Sequence, residues 1–279
     1  MPGFEPGTSP TRTARATRLR YTPNTRRVSH SEMASRDEIL AFANEYLDLA
    51  AYSDYGPMGL QVSGSPEVRK IACGVSASRE LFEKAGEAGA QLVIVHHGLF
   101  WDRDSRVVDR VMKGRLKALF DYDLTLAAYH LALDAHSEVG NNALLARELG
   151  VKAEARFTDW GYGGPLEQPV PISEFATTLE KVLGRPPLVF SYGPEQIERV
   201  AILTGGAARY LTDAAAQGYD CFVTGEADEP TKHAAKESGV HFVAGGHYAT
   251  ETLGVRALSA KLAEELGLEW DFVDLPNPV

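Results

Sequence analysis

From Arg69 to the end of the chain, short β-branched apolar runs alternate with longer stretches whose apolar positions return every three or four residues. The short runs fit buried strands and the longer stretches amphipathic helices. "RKIACGV" predicts a strand, "SRELFEKAGEAG" a helix closed by Gly89 and "QLVIV" a second strand, together a βαβ unit. "GRLKALFDYD" continues as a helix, "LTLAAY" as a strand and "NNALLARELG" as a helix ending at Gly150. The Gly/Pro-rich passage "WGYGGPLEQPVP" and a helix "SEFATTLEKVLG" follow, and then the rhythm restarts. "ERVAILTGG", "DCFVTG" and "HFVAGG" predict strands, separated and closed by helices over "ARYLTDAAAQG", "EPTKHAAKESG" and "VRALSAKLAEELG".

The restart is a repeat. Shifted by 129 positions, "RKIACGVSASRELFEKAGEAGAQLVIVHH" lies without a gap on "ERVAILTGGAARYLTDAAAQGYDCFVTGE". Shifted by 117, "HLALDAHSEVGNNALLARELGV" lies on "HYATETLGVRALSAKLAEELGL", with eight of 22 positions identical. The second alignment puts His130 on His247 and Asp134 on Glu251. The predicted fold is therefore α/β, with two similar α/β halves, mixed sheets flanked by helices, and a metal site at strand ends between the halves. Residues 34–155 form the first half and 156–279 the second.

The first 33 residues break this pattern. They carry six arginines against Glu5 and Glu32, a local charge of +4, and are rich in Thr, Ser and Pro. They predict a disordered leader or an overextended start, with a transit peptide or a basic nucleic-acid arm as alternatives. "MASRDEILAFANEYLDL" then opens the folded chain, with Ser35 placed as a helix N-cap and Glu38 three residues later.

The chemistry lies at predicted strand ends. His96 and His97 close the apolar run Leu92–Val95, and His130-x3-Asp134 and His247-x3-Glu251 each follow a strand. Residues four apart share a helical face, so an imidazole and a carboxylate at that spacing converge on one ion. A lone pair of this kind is commonly a surface hydrogen bond, but three constellations at equivalent strand ends favour metal. His96, His97, His130, Asp134, His247 and Glu251 supply six donors, which suits two divalent ions about 3.5–4 Å apart. Imidazole and carboxylate accept zinc, iron or manganese alike. Glu226, at the repeat position of His97, is a candidate proton-transfer carboxylate or a support for the ligands, and His233 follows it. His136 is a candidate support for Asp134 or a helix-start hydrogen-bonding group.

Composition narrows the function classes. The net charge is −10, and removing the leader's +4 leaves −14, which argues against a broad basic surface for nucleic acid. Two cysteines, Cys73 and Cys221, give neither a disulfide framework nor a Cys-x2-Cys zinc site and suit a reducing, cytoplasmic setting. No stretch approaches the roughly 20 apolar residues of a membrane span. "CGVSAS" and "LTGGAARY" lack the phosphate-loop lysine and read as helix-capping turns. Phe100, Trp101, Tyr129, Tyr162 and Tyr248 are aromatic faces available to a base or to the core.

"HHGLFW", "YHLALDAHSEVGNN" and "TGEADEPTKHAAKESGVHFVAGGHYATETLGVRALSAKLAEE" resemble the Nif-three-like dinuclear metal-centre family, also named the GTP cyclohydrolase I type 2 family. The likeness runs from Ser35 to the C-terminal "DLPNPV" and is to the short bacterial form, without the domain some relatives insert between the halves. Ala132 and Tyr248 depart from the pattern, which often has proline and histidine there; neither is a presumed ligand. The resemblance implies that His97 and Asp134 serve one ion, that His96 and His247 serve the other, and that Glu251 bridges them. It places His130 close by as a further ligand. It implies toroidal homohexamers with the metal sites facing an inner cavity, and opening of the guanine ring of GTP. Two ions sharing a carboxylate bring a bridging water toward ionisation at neutral pH, so hydrolysis is the reaction class expected. A small nucleotide is the expected substrate. A non-catalytic metal-binding or metal-delivery protein, a phosphoesterase and a single-stranded nucleic-acid-binding ring are the alternatives.

Overall fold

The computed structural model describes residues 33–279; the leader expectation for residues 1–33 lies, apart from Met33, outside them. A five-stranded sheet is ordered Glu269–Phe272, Lys70–Ser76, Leu92–His97, Thr125–Ala128, Gly59–Val62. Its first four strands are parallel, with Ile71 facing Leu92 and Leu92 facing Thr125, and Gly59–Val62 closes the edge antiparallel. A six-stranded sheet is ordered Ala155–Phe157, Gly161–Val170, Ile197–Ile202, Cys221–Thr224, His241–Ala244, Leu188–Phe190. Its three inner strands are parallel, with Cys221 facing both Val200 and His241, and the flanking strands run antiparallel. Both sheets are therefore mixed, with four adjacent parallel strands in the first and three in the second.

Alternation along each strand divides its side chains between two apolar layers. Leu92 and Ile94 face a layer with Ile39, Leu40 and Leu258, whereas Val93 and Val95 face one with Leu81, Phe82 and Leu119. Helices Arg36–Tyr46 and Thr252–Leu266 cover the first face, and Arg79–Glu87 and Arg110–Asp121 the second. In the other sheet, Val200, Ile202, Cys221 and Val223 pack with Leu145, Ala146 and Leu149 of the Asn141–Glu148 helix and the residue after it. The closing helices of the two repeats are thus exchanged. Asn141–Glu148 packs on the second sheet, and Thr252–Leu266 and Glu269–Phe272 pack on and extend the first.

Two local readings differ from the sequence expectation. The Gly/Pro-rich passage is a strand, Gly161–Val170, because Pro165 and Pro169 lie where its ladder to Ile197–Ile202 shifts register and no donor is needed. Gly164 is required there: a Cβ would lie 1.7 Å from the Lys152 carbonyl oxygen. Ser35 does precede the Arg36–Tyr46 helix, but its hydroxyl makes no capping bond; the Arg36 N–H donates instead to the Pro66 carbonyl at 2.9 Å. Among the described residues no helix is long and apolar enough to cross a membrane.

Candidate metal centre

His96 and His97 end the central strand of the first sheet, and His130 and His247 follow the third parallel strand of each sheet. The helix exchange carries the starts of Asn141–Glu148 and Thr252–Leu266 into contact: Gly254 N–H donates to Asn141 Oδ1 at 2.7 Å, and Asn141 Nδ2 donates to Asp134 Oδ1 at 2.8 Å. One amide thereby ties the Asp134 carboxylate to the backbone beside Glu251.

All six predicted ligands are brought together. His96 Nε2 lies 3.4 Å from Asp134 Oδ2 and 3.5 Å from Glu251 Oε1. His97 Nε2 and His247 Nε2 lie 3.3 and 3.2 Å from Glu251 Oε2. His96, His97 and His130 form one group of donors mutually within 4.8 Å, and His97, His247 and Glu251 form a second. In this arrangement His96 stands beside Asp134, and His97 beside His247. The strand pleat explains this. His96 continues the face of Leu92 and Ile94, which also holds Ala132 and Leu133 of the Asp134 helix, whereas His97 continues the opposite face.

Each of the four imidazoles of the centre is held through Nδ1. His96 Nδ1 donates to the Tyr129 carbonyl at 2.9 Å, His97 Nδ1 meets Ser76 Oγ at 3.1 Å, His130 Nδ1 meets Asp54 Oδ1 at 2.8 Å, and His247 Nδ1 meets Glu226 Oε1. Fixing Nδ1 in this way leaves Nε2 for the centre, the arrangement that surrounds metal-ligating histidines. His96 Nε2 and Glu251 Oε2 are buried without a hydrogen-bond partner. Native interiors rarely leave such atoms unpaired, and a cation among them would satisfy both. The donor set therefore fits a metal.

Burial and charge act together here. Burial pushes His97 down to about 3, so it presents a neutral ring. Burial also lowers His247, but the Glu251 and Glu226 carboxylates outweigh it and bring the group up to about 9. For His96, Asp134 and Glu251 overcome burial and hold the pKa well above the usual histidine range. Burial raises Glu251, yet the surrounding imidazoles, His96 first, pull it well below the usual carboxylate range. Without metal, protons on His96 and His247 balance the carboxylates; cations would take their place.

Other sequence candidates stand elsewhere. His233 is exposed on the Thr231–Ser238 helix. His136 packs on Tyr46 and accepts the Val139 N–H at 3.2 Å, a helix-start contact. Tyr129 contributes its carbonyl, and its hydroxyl donates to Asn44 at 3.1 Å in the core. Tyr162 donates to the Ala135 carbonyl, and Tyr248 donates to Asp274 at 2.6 Å, tying down the C-terminal tail. Phe100 is exposed, whereas Trp101 stands edge-on to His130 at 5.2 Å between centroids. Ser78 caps Arg79–Glu87 as expected of "CGVSAS", leaving Ser76 for His97.

Sequence reading missed Asp54, Ser76, Asn141 and Gly205. Asp54 sits in a loop outside the repeat and gives no periodic signal. Gly205 has φ +70°, and a Cβ there would fall 2.2 Å from Glu251 Oε1, so only glycine lets that carboxylate reach its place. Its trace was the "TGG" of the capping turn.

The family described as Duf34/NIF3 (NGG1p interacting factor 3) matches residues 34–278. The "GTP cyclohydrolase 1 type 2 homolog" of Escherichia coli K12 is 47% identical over 242 residues, covering 86% of this chain and 98% of that protein. The solved structure of "protein ybgI, unknown function" is similar at 46% identity and TM-score 0.86, over 88% of this chain and 100% of that one. That of TTHA1606 from Thermus thermophilus is similar at 37% identity and TM-score 0.84, with the same coverage.

Proposed function

The chain belongs to the Duf34/NIF3 family, and from that premise we propose that it holds two divalent ions, zinc, iron or manganese, and works as a metal-dependent hydrolase on a nucleotide. The observation that carries this reading is Glu251, a buried carboxylate with Oε1 toward His96 and Oε2 toward His97 and His247. A carboxylate between two donor groups is what a shared ligand requires. Ions bound there would activate water and polarise a substrate oxygen.

The chain's own groups supply the rest. Asp54 and Ser76 orient His130 and His97, and Asn141 fixes Asp134. Glu226, about one-third exposed, accepts the His247 Nδ1 proton and is the carboxylate available at the rim for proton transfer. The substrate class is carried by the named relatives, "GTP cyclohydrolase 1 type 2 homolog". The homohexamer and the cytoplasmic location belong to the same proposal; both cysteines are free and buried, which supports a reducing compartment.

A second reading, metal delivery without turnover, is favoured by one feature: His97 and His247 remain 21% and 28% exposed, an opening through which an ion could exchange. Turnover of GTP and of a generic phosphodiester by metal-loaded protein, tracked against occupancy, tests the first reading. Full occupancy with neither substrate consumed, together with rapid transfer to an acceptor, would replace it with the second. Undiminished turnover in Glu226→Gln would remove the proton-transfer role.

A further inference from the structure

A cavity of about 260 Å³ opens directly on the centre, with His97, His130, His247 and Glu251 among the residues that line it. Ligand pockets commonly run from roughly 300 to 1,000 Å³, so this one encloses a compact group and leaves a longer ligand partly outside. Trp101 and Trp160 line it, and the Trp101 ring stands 6.1 Å from His97 and 5.2 Å from His130. Aromatic walls of this kind accept a flat ring by stacking. Thr204 also lines the space, and its buried Oγ1 has no hydrogen-bond partner.

The outer end is different in character. Arg209 and Tyr55 are both exposed and line the same cavity, with Tyr210 beside them. The Arg209 guanidinium lies 4.7 Å over the Tyr210 ring and donates to its hydroxyl at 3.4 Å. Among the described residues no carboxylate pairs with Arg209; its guanidinium is held by the neighbouring tyrosine instead. In a chain of net charge −10, an unpaired guanidinium held on a ring at a cavity mouth is a ready partner for phosphate or carboxylate.

We propose that Arg209, with the Tyr210 and Tyr55 hydroxyls, receives the anionic group of a planar ring compound, whose ring then lies between Trp101 and Trp160 against the metal centre. The lining sets this orientation: the carboxylates Glu251 and Asp134 are buried beside the histidines, whereas the Arg209 guanidinium is exposed to solvent. A phosphate ester would therefore stay outside while the ring meets the chemistry. This deepens the nucleotide reading and rests on it for the identity of the inner end; it separates ring hydrolysis from phosphoester hydrolysis.

Calorimetric titration of manganese-loaded protein with guanosine 5′-monophosphate, guanosine and inorganic phosphate tests it, with metal content measured on the same samples. The monophosphate should bind more tightly than guanosine, and Arg209→Ala should weaken only the monophosphate, by about ten- to a hundredfold, the range of a lost charge-assisted hydrogen bond. Arg209→Lys should recover part of the loss, and both variants should keep the wild-type metal content. Equal binding of nucleoside and nucleotide, an unchanged preference in Arg209→Ala, or no binding of either ring compound would overturn the proposal. So would phosphate binding that displaces the nucleotide yet ignores Arg209, because the phosphate would then sit at the centre. A protein without metal that still shows the Arg209-dependent preference would sink the metal reading and leave this one standing.

Discussion

The two halves bring equivalent strand ends to one centre but do unequal work there. In the second half, Glu251 reaches His96, His97 and His247; in the first, Asp134 reaches only His96 among the histidines. Glutamate is one methylene longer than aspartate, and the two oxygens of Glu251 reach three imidazoles where Asp134 reaches one. The 129-residue shift pairs Ser76 with Gly205 and His97 with Glu226. Ser76 holds His97, whereas Gly205 removes a side chain that would displace Glu251. Where the first half has the histidine pair, the second has Gly225 and Glu226, and Glu226 supports His247. The two sheets supply similar frames, and a few asymmetric positions give Glu251 its wider reach.

That asymmetry can be broken in graded steps. Replacing Glu251 by Gln should have the largest effect, emptying the centre from about two ions per chain to nearly none by elemental analysis, because both donor groups lose their shared oxygen pair. Gly205→Ala should act almost as strongly: the new Cβ meets Glu251 Oε1 and the positive φ is strained, so metal is lost and thermal or chemical denaturation shows a cost of more than about 1 kcal/mol. Asp134→Asn should remove one ion and leave the other, since His97, His247 and Glu251 do not depend on it. Asp54→Asn and Glu226→Gln loosen the hold on His130 and His247, and each should weaken metal affinity about 10- to 100-fold in competition with a chelator. Ser76→Ala, which removes one neutral hydrogen bond, should cost least, about 1 kcal/mol or several-fold in affinity by the same assay.

The fold was legible where periodicity alone decides it. The alternation of central strands and helices and the α/β class could be read from apolar spacing, whereas the edge strands Gly59–Val62, Leu188–Phe190 and Glu269–Phe272 could not. The exchange of closing helices could not, because "NNALLARELG" and "VRALSAKLAEELG" show which face is apolar but not which sheet will cover it. Gly161–Val170 was hidden by prolines that a register shift makes harmless. At the site, the six ligand candidates carry local spacing signals, and the chain does bring them together. Which histidine stands near which carboxylate depends on the strand pleat and on the exchanged helix, which local spacing does not carry. Asp54 lay outside every motif, and Arg209 lay in the turn "LTGGAARY" with nothing in its spacing to mark it; contacts across the fold give both their places.

The most direct test is metal content per chain in protein purified without chelator or affinity tag, measured together for wild type, Asp134→Asn and Glu251→Gln. A shared Glu251 predicts about two, about one and nearly none. A single ion in the wild type, or two retained in Glu251→Gln, would contradict it.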